Sequence, residues 1–208
     1  MLAITTKAWD ARFKREGKIF EEPHEDLPLV VASLRGKGAR IVLDLGSGSG
    51  RHLVFLAKNG FSVFGLDNSR AGIDIAEKWL KSEGLSADLC MQEMTEELPY
   101  EDNFFDAVIS VQVMHHARAD VIKKIIKELE RVLKKGGIIF ITVPKERNQG
   151  KEFMQIEPRT FVPLDGPEKG LPHHYFTRGE LRKFFGSFSI TDIHLDSNDH
   201  YCLSGFKG

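Results

Sequence analysis

Cysteine is scarce in this 208-residue chain. Cys90 and Cys202 belong to no CxxC pair, which excludes a disulfide framework or a zinc ribbon as the basis of the fold. A reducing, cytoplasmic setting suits that usage. Long apolar runs are also missing: stretches such as Ile138–Ile141 fall far short of the roughly 20 residues a membrane-spanning helix needs, so no membrane partner is expected. Residues Met1–Asp10 lack the charged-then-apolar layout of a secretory leader. Neither sign of charge dominates. Lys plus Arg number 29 against 30 Asp plus Glu, a net charge of −1, which excludes a uniformly basic nucleic-acid coat and makes nucleic acid an unexpected partner. Repeats and low-complexity tracts are absent.

What is present is an alternation of short apolar runs with segments of helical period. Ile41–Leu45 reads as a buried strand, followed by a glycine-rich turn and a helix over Gly50–Lys58 that exits at Asn59-Gly60. Phe61–Leu66 is a second strand. Ser69 caps a helix carrying Ile73, Ala76, Trp79 and Leu80 that stops near Gly84. Ala87–Met91 and Phe105–Val111 are the third and fourth strands. Asp120 is placed to cap an amphipathic helix with Ile122, Ile125, Ile126, Leu129 and Val132 on one face. Its last turn is read at Lys134-Lys135 and its end at Gly136-Gly137. Gly137–Val143 is a fifth strand, closed by Pro144. After a proline-rich connection, Thr177 with Glu180 opens a short helix through a capping box. Phe188–Leu195 and Tyr201–Phe206 form an antiparallel hairpin.

Strands and helices alternating at this spacing predict an α/β fold. It is a doubly wound, seven-stranded sheet, mostly parallel, ending in a C-terminal antiparallel hairpin. Residues 1–208 read as a single domain. Residues 1–36, with Trp9 and Phe13 one turn apart and an apolar helix from Leu27 to Leu34, form a helical cover over the sheet's C-terminal edge. Residues 144–176, with five prolines, form a substrate lid, since so long a connection in a compact domain usually serves binding.

The informative segment is Ile41-Val-Leu-Asp-Leu-Gly-Ser-Gly-Ser-Gly50-Arg-His, a strand, a GxGxG turn and a helix start. In open α/β sheets a ligand lies at such a turn, outside the carboxyl ends of the strands. Asp44 precedes the glycines, where an anion repels a pyrophosphate and suits an ammonium group. Asp67 closes the second strand, 21 residues after Gly46, where an acid can accept hydrogen bonds from both ribose hydroxyls. Glu93 follows the third strand between Met91 and Met94, an acceptor and apolar surface for an adenine. Ammonium, ribose and adenine together describe S-adenosylmethionine. The rivals are a dinucleotide site, whose GxGxxG would need a glycine where Arg51 stands, and a glycine turn with no ligand.

The stretch from Ile41 to Val143 resembles the class I S-adenosylmethionine-dependent methyltransferases, whose sheet is Rossmann-like. "VLDLGSGSG" is similar to their first motif, "VFGLDNS" to their second strand with its ribose-binding acid, "CMQEMTEELPYEDNFFDAVIS" to the segment entering their fourth strand, and "ELERVLKKGGIIFITVP" to the helix and strand that follow. The usual Gly-Asp pair of the third motif is Gln92-Glu93 here. The resemblance implies that Gly46, Ser47, Gly48 and Gly50 lie against the methionine moiety, that Asp67 and Asn68 flank the ribose, and that Glu93, Met94, Val111 and Gln112 border the cofactor. "AWDARFKREGKIFEEPHEDLPLV" is similar to the leading segment of thiopurine and tellurite methyltransferases, which covers the methionine end. That likeness makes Trp9 and Arg12 an aromatic wall and a cation for the cofactor carboxylate. The plainer reading is a packed Trp and a solvated Arg.

Methyl transfer from a sulfonium needs alignment and exclusion of water more than strong acid–base chemistry. Two places could serve the acceptor. His115 and His116 follow the fourth strand, where a neutral imidazole could take a proton or merely shape the pocket. Tyr175, with His173 and His174, follows the proline-rich connection and could line an acceptor pocket or form a surface turn. These histidines are adjacent pairs without the i, i+4 spacing of helical ligands, so no metal is expected. The function expected is methyl transfer to a small-molecule O, N or S acceptor. The alternatives are a non-catalytic S-adenosylmethionine-binding module and an enzyme acting on protein or RNA. The oligomeric state is not encoded in any pattern here.

Overall fold

A computed structural model of the chain describes residues 3–146 and 152–208. In chain order the elements are α1 (Ala3–Glu16), α2 (Leu27–Gly36), β1 (Ile41–Leu45), α3 (Arg51–Lys58), β2 (Ser62–Asp67), α4 (Arg70–Ser82), β3 (Asp88–Met91), β4 (Phe105–Val111), α5 (Ala119–Val132), β5 (Leu133–Pro144), β6 (Phe153–Glu157), β7 (Thr160–Pro163), β8 (His173–His174), α6 (Arg178–Phe184), β9 (Phe188–Leu195) and β10 (His200–Lys207). The main sheet has seven strands in the order β3-β2-β1-β4-β5-β10-β9. β1, β2, β3, β4 and β5 pair in parallel, and β10 pairs antiparallel with both β5 and β9. This is the expected Rossmann-like arrangement. The strand order reverses between β1 and β4, and their C-terminal ends open the crevice in which such folds bind ligands.

The strands are apolar on both faces because helices cover both. Alternation along β1 sends Val42 to one side and Leu43 to the other. Val42, Ala107, Ile109 and Phe140 pack with α2, α3 and α4 through Leu27, Leu34, Leu53, Leu56, Ala76 and Leu80. Leu43, Val108, Ile139 and Ile141 pack with α5 and α6 through Ile122, Ile126, Leu129 and Leu181. Helix α2 therefore lies on a sheet face and not over the C-terminal edge expected for it. Helix α1 does reach the crevice. Its Phe13 is buried, and its Asp10 accepts hydrogen bonds from Ala71 N (2.8 Å) and Ser69 Oγ (3.1 Å) at the start of α4. Those donors, with Lys14, hold the Asp10 carboxyl below its ordinary pKa.

Two caps form as the residue types require. Ser69 accepts from Gly72 N and Thr177 from Glu180 N. Other expectations are corrected. Asp120 does not cap α5 but sits in its first turn; the free Ala119 N–H is taken by the Glu157 carboxylate at 2.7 Å. Helix α5 also ends early. Leu133 is already extended and pairs with Phe105, so Lys134 to Gly137 belong to β5, where the register shifts before Ile138 meets Ala107. Arg131 stands at that junction. It donates to Glu128, to Leu98 O (2.9 Å) and Tyr100 O (2.8 Å), and pairs with Asp102 at 3.0 Å. Arg131→Ala would strand two backbone carbonyls as well as a carboxylate. It should lower stability by about 2–3 kcal/mol in denaturant unfolding with cofactor affinity unchanged.

The expected lid, residues 144–176, includes residues 147–151, which lie outside the described residues. The remainder contains a second sheet with no counterpart in the sequence analysis, in the order β6-β7-β8.

Candidate active site

A cavity of about 590 Å³ opens at the C-terminal ends of β1 and β4. Its wall includes the glycine turn Gly46–Ser49, Asp67 and Asn68 from the end of β2, Gln92 and Met94 after β3, and Val111, Gln112, Val113 and His116 after β4. Trp9 and Phe13 of α1 close one side.

The turn depends on residues without side chains. Gly46 has φ +79°, and a Cβ there would lie 2.3 Å from a γ-carbon of Val113. Gly50, at φ +94°, would place a Cβ 2.8 Å from that of Ala76 in α4. The turn is fastened by Gly46 N and Ser47 N, which both donate to Leu66 O, and by Gly48 N, which donates to the Asp67 carboxylate at 2.8 Å.

Asp67 is therefore fixed from two sides, since its other oxygen accepts from Ser69 N at 2.8 Å. Each oxygen keeps a further lone pair for a ribose hydroxyl. Burial, opposed by these two amides and reinforced by the Asp44 and Glu93 charges, raises its pKa to about 6. Asp44 is fully buried, and neither carboxylate oxygen has a hydrogen-bond partner. His52 Nδ1 lies 3.9 Å away, but burial pushes the His52 pKa down and so disfavours the imidazolium that would neutralise Asp44. A buried carboxylate left like this is costly unless a cation arrives. The anchored Asp67 and the apolar Leu66 and Met94 in the wall fit the ribose and adenine of S-adenosylmethionine, and Asp44, buried behind the wall and not lining it, sets a carboxyl group beneath the turn on the side of the ammonium.

Of the residues singled out from sequence, Trp9, Gly46, Ser47, Gly48, Asp67, Asn68, Met94, Val111, Gln112 and His116 line the cavity. Gly50 packs against α4 instead. Glu93 accepts from Asn68 Nδ2 at 3.1 Å, and its neighbour Gln92 reaches the wall. Arg12 pairs with Glu16 (3.2 Å) and Glu168 (3.7 Å) and lies over the Trp9 ring. Arg51, whose identity had counted only against a dinucleotide fingerprint, lines the cavity instead. It donates to Glu22 O at 3.1 Å and is half-buried there. His24, Asp196 and His200 also line the cavity and were missed. They meet through Asp196, 3.2 Å from a nitrogen of each histidine. Asp196 and His200 flank the β9–β10 turn, but His24 is 172 residues from Asp196, and only the tertiary fold brings it there.

The histidine pairs form one group. His115 and His116 are buried with ring centroids 3.9 Å apart, and His173 lies 5.6 and 4.7 Å from them. Trp9 stands against His116 at 5.7 Å. Burial, and then the neighbouring imidazoles, hold the pKa of His115 and His116 well below the ordinary value, so both are neutral near pH 7. Tyr175 is buried behind this group, 6.4 Å from His173 and 5.9 Å from Phe161. The small sheet is tied to the same loop. His174 N donates to His115 O at 2.8 Å, and Glu157 accepts from Ala119 N and pairs with Arg118 at 3.0 Å.

A parallel sheet that reverses at its glycine turn, with acids set for an amine and a sugar, defines a nucleoside-binding α/β domain. Residues 43–141 match the family described as "Methyltransferase domain", and the chain is similar in sequence and fold to S-adenosylmethionine-dependent methyltransferases, which supports S-adenosylmethionine as its cofactor. It is 29% identical over 128 residues to the uncharacterized methyltransferase YcgJ of Bacillus subtilis, covering 62% of this chain and 49% of that one. To the ubiquinone biosynthesis O-methyltransferase of Pseudomonas aeruginosa it is 30% identical over 149 residues, covering 67% and 59%. The chain spans about half the length, or less, of the first curated relatives it matches. The 1,6-didemethyltoxoflavin-N1-methyltransferase of Burkholderia thailandensis shares the fold, with a TM-score of 0.76 at 17% identity over 99% of this chain and 88% of that one. Among the described residues, no helix is long and apolar enough to cross a membrane.

Proposed function

We propose that the protein transfers the methyl group of S-adenosylmethionine to an O, N or S atom of a small molecule. The observation carrying this reading is the unpartnered, buried Asp44 beneath a turn that Asp67 anchors. Bound S-adenosylmethionine supplies a methyl on a sulfonium, transferable without further activation. Asp44 attracts the ammonium, Arg51 the carboxylate, and Asp67 with Asn68 orients the ribose. Trp9 and Phe13 exclude water from the methionine end, which strengthens these attractions. His116, neutral and in the cavity wall, is the group placed to accept a proton from the acceptor as the new bond forms. Its low basicity suits a proton lost together with methyl transfer and not before it. Helix α1 acts as the cover, through Trp9 and Phe13, and the small sheet β6-β7-β8 as the lid of a single domain. A cavity of about 590 Å³, in the range of small-molecule sites, supports a small acceptor over a protein or RNA.

The test is turnover of methyl-labelled cofactor with a panel of thiols, phenols, amines and carboxylates. Formation of S-adenosylhomocysteine together with a labelled small product is expected. Tight cofactor binding without turnover on any acceptor would overturn the reading in favour of a binding module.

A further inference from the structure

We propose that His115, His116 and His173 form a binding site for a divalent transition metal of the zinc class, with an open coordination position facing the cavity. One nitrogen from each ring can be chosen so that all three lie within 4.8 Å of one another. A tetrahedral ion with bonds of about 2.1 Å holds its nitrogens roughly 3.4 Å apart, so small ring rotations close the set. The donors suit the ion, because imidazole nitrogen is a common ligand of zinc-class metals and all three rings are buried together. A second observation points to a ligand. His115 is 5% exposed, and its Nδ1 has no hydrogen-bond partner.

The surroundings match what metal histidines require. Imidazole ligands are usually oriented by an acceptor on the second ring nitrogen or by the backbone. Glu168 stands 3.3 Å from His173 Nε2, and the His174 N–H bond to His115 O locks the two chain segments together. Three protein ligands with a fourth position left open is the arrangement of catalytic rather than structural zinc sites. Here that position opens on the cavity wall, since His116 lines it. Sequence spacing hides the site, because His173 is brought to the pair by a tertiary contact, the His174 N hydrogen bond to His115 O. The inference does not depend on methyl transfer and holds for a pure binding module as well; a bound ion would occupy His116 and take the place of the proton-acceptor role given to it above.

The experiment uses the full chain, stripped with chelator and titrated with cobalt(II) alone, then with zinc by calorimetry. One equivalent should bind with micromolar or tighter affinity and give the intense visible bands of tetrahedral cobalt. His115→Ala and His173→Ala should each weaken binding roughly 100-fold or more, while S-adenosylhomocysteine still binds and reports an intact fold. His24→Ala, which removes the other close ligand group of His24, Asp26 and Cys202, should leave metal binding unchanged. X-ray absorption on the unsubstituted zinc-loaded protein should count three imidazoles, and this readout stands even if a variant fails to fold. No saturable binding below millimolar metal, binding lost only in His24→Ala, or a ligand set other than three imidazoles would each overturn the proposal.

Discussion

Gly46→Ala is expected to abolish measurable binding of S-adenosylhomocysteine and to cost about 2–5 kcal/mol of stability. Two penalties combine. A side chain at φ +79° is in the left-handed region, worth roughly 1–2 kcal/mol. The added Cβ also falls 2.3 Å from Val113, an overlap that must displace either the turn or the strand end, at a further 1–3 kcal/mol. Gly60→Ala separates the two terms. Gly60 has φ +87° with nothing within 4 Å of a Cβ, so it should lose only the first and keep full cofactor binding. Combining Gly46→Ala with Val113→Ala removes the two closest atoms but leaves the Val113 Cβ at 2.8 Å, and should restore part of the stability. Calorimetric binding and urea unfolding of the three variants read all of this. Equal losses at Gly46 and Gly60 would refute the packing argument.

Asp67 carries the second large effect. Asp67→Ala should weaken cofactor binding roughly 5- to 150-fold, about 1–3 kcal/mol, as hydrogen bonds to a charged acceptor are lost. Asp67→Asn should fare little better. Both carboxylate oxygens already accept from backbone N–H groups of Gly48 and Ser69, so one side of an amide would point a donor at a donor. The pH dependence follows from the raised pKa of about 6. In the empty protein, an acid raised above its ordinary 3.8 contributes stability that is full below that value and lost as pH rises through about 6. Cofactor binding runs the other way. It needs the carboxylate, so affinity should fall as pH drops through 6 in the native protein, with no such inflection in Asp67→Ala. A flat profile for the native protein between pH 5 and 7 would contradict the ribose assignment.

The features legible in the sequence are those fixed by local pattern. The β1 run, the glycine turn and Asp67 lie within one βαβ stretch, and periodicity with the need for φ > 0 suffices to place them. The end of α5 is not local. Apolar spacing and the Lys pair carry the helix pattern onward, but pairing of Leu133 with Phe105 and the hold of Arg131 on Leu98 and Tyr100 stop it. The small sheet escaped for a related reason. Its strands are five, four and two residues long, too short for alternation to register, and they are defined by one another. The same limit applies to the site. Arg51 follows the turn in sequence, yet only the loop carrying Phe20 and Glu22 shows why a cation belongs there. His173 lies far along the chain from His116, and no spacing rule joins them.

The bond from His174 N to His115 O has a consequence for access. It joins the small sheet to the segment that also presents His116 to the cavity. The small sheet cannot swing away from the crevice without pulling on the backbone that positions those imidazoles, and Glu157 at the head of α5 resists the same movement. Moving the small sheet and shifting the loop that carries those rings are thus mechanically one event.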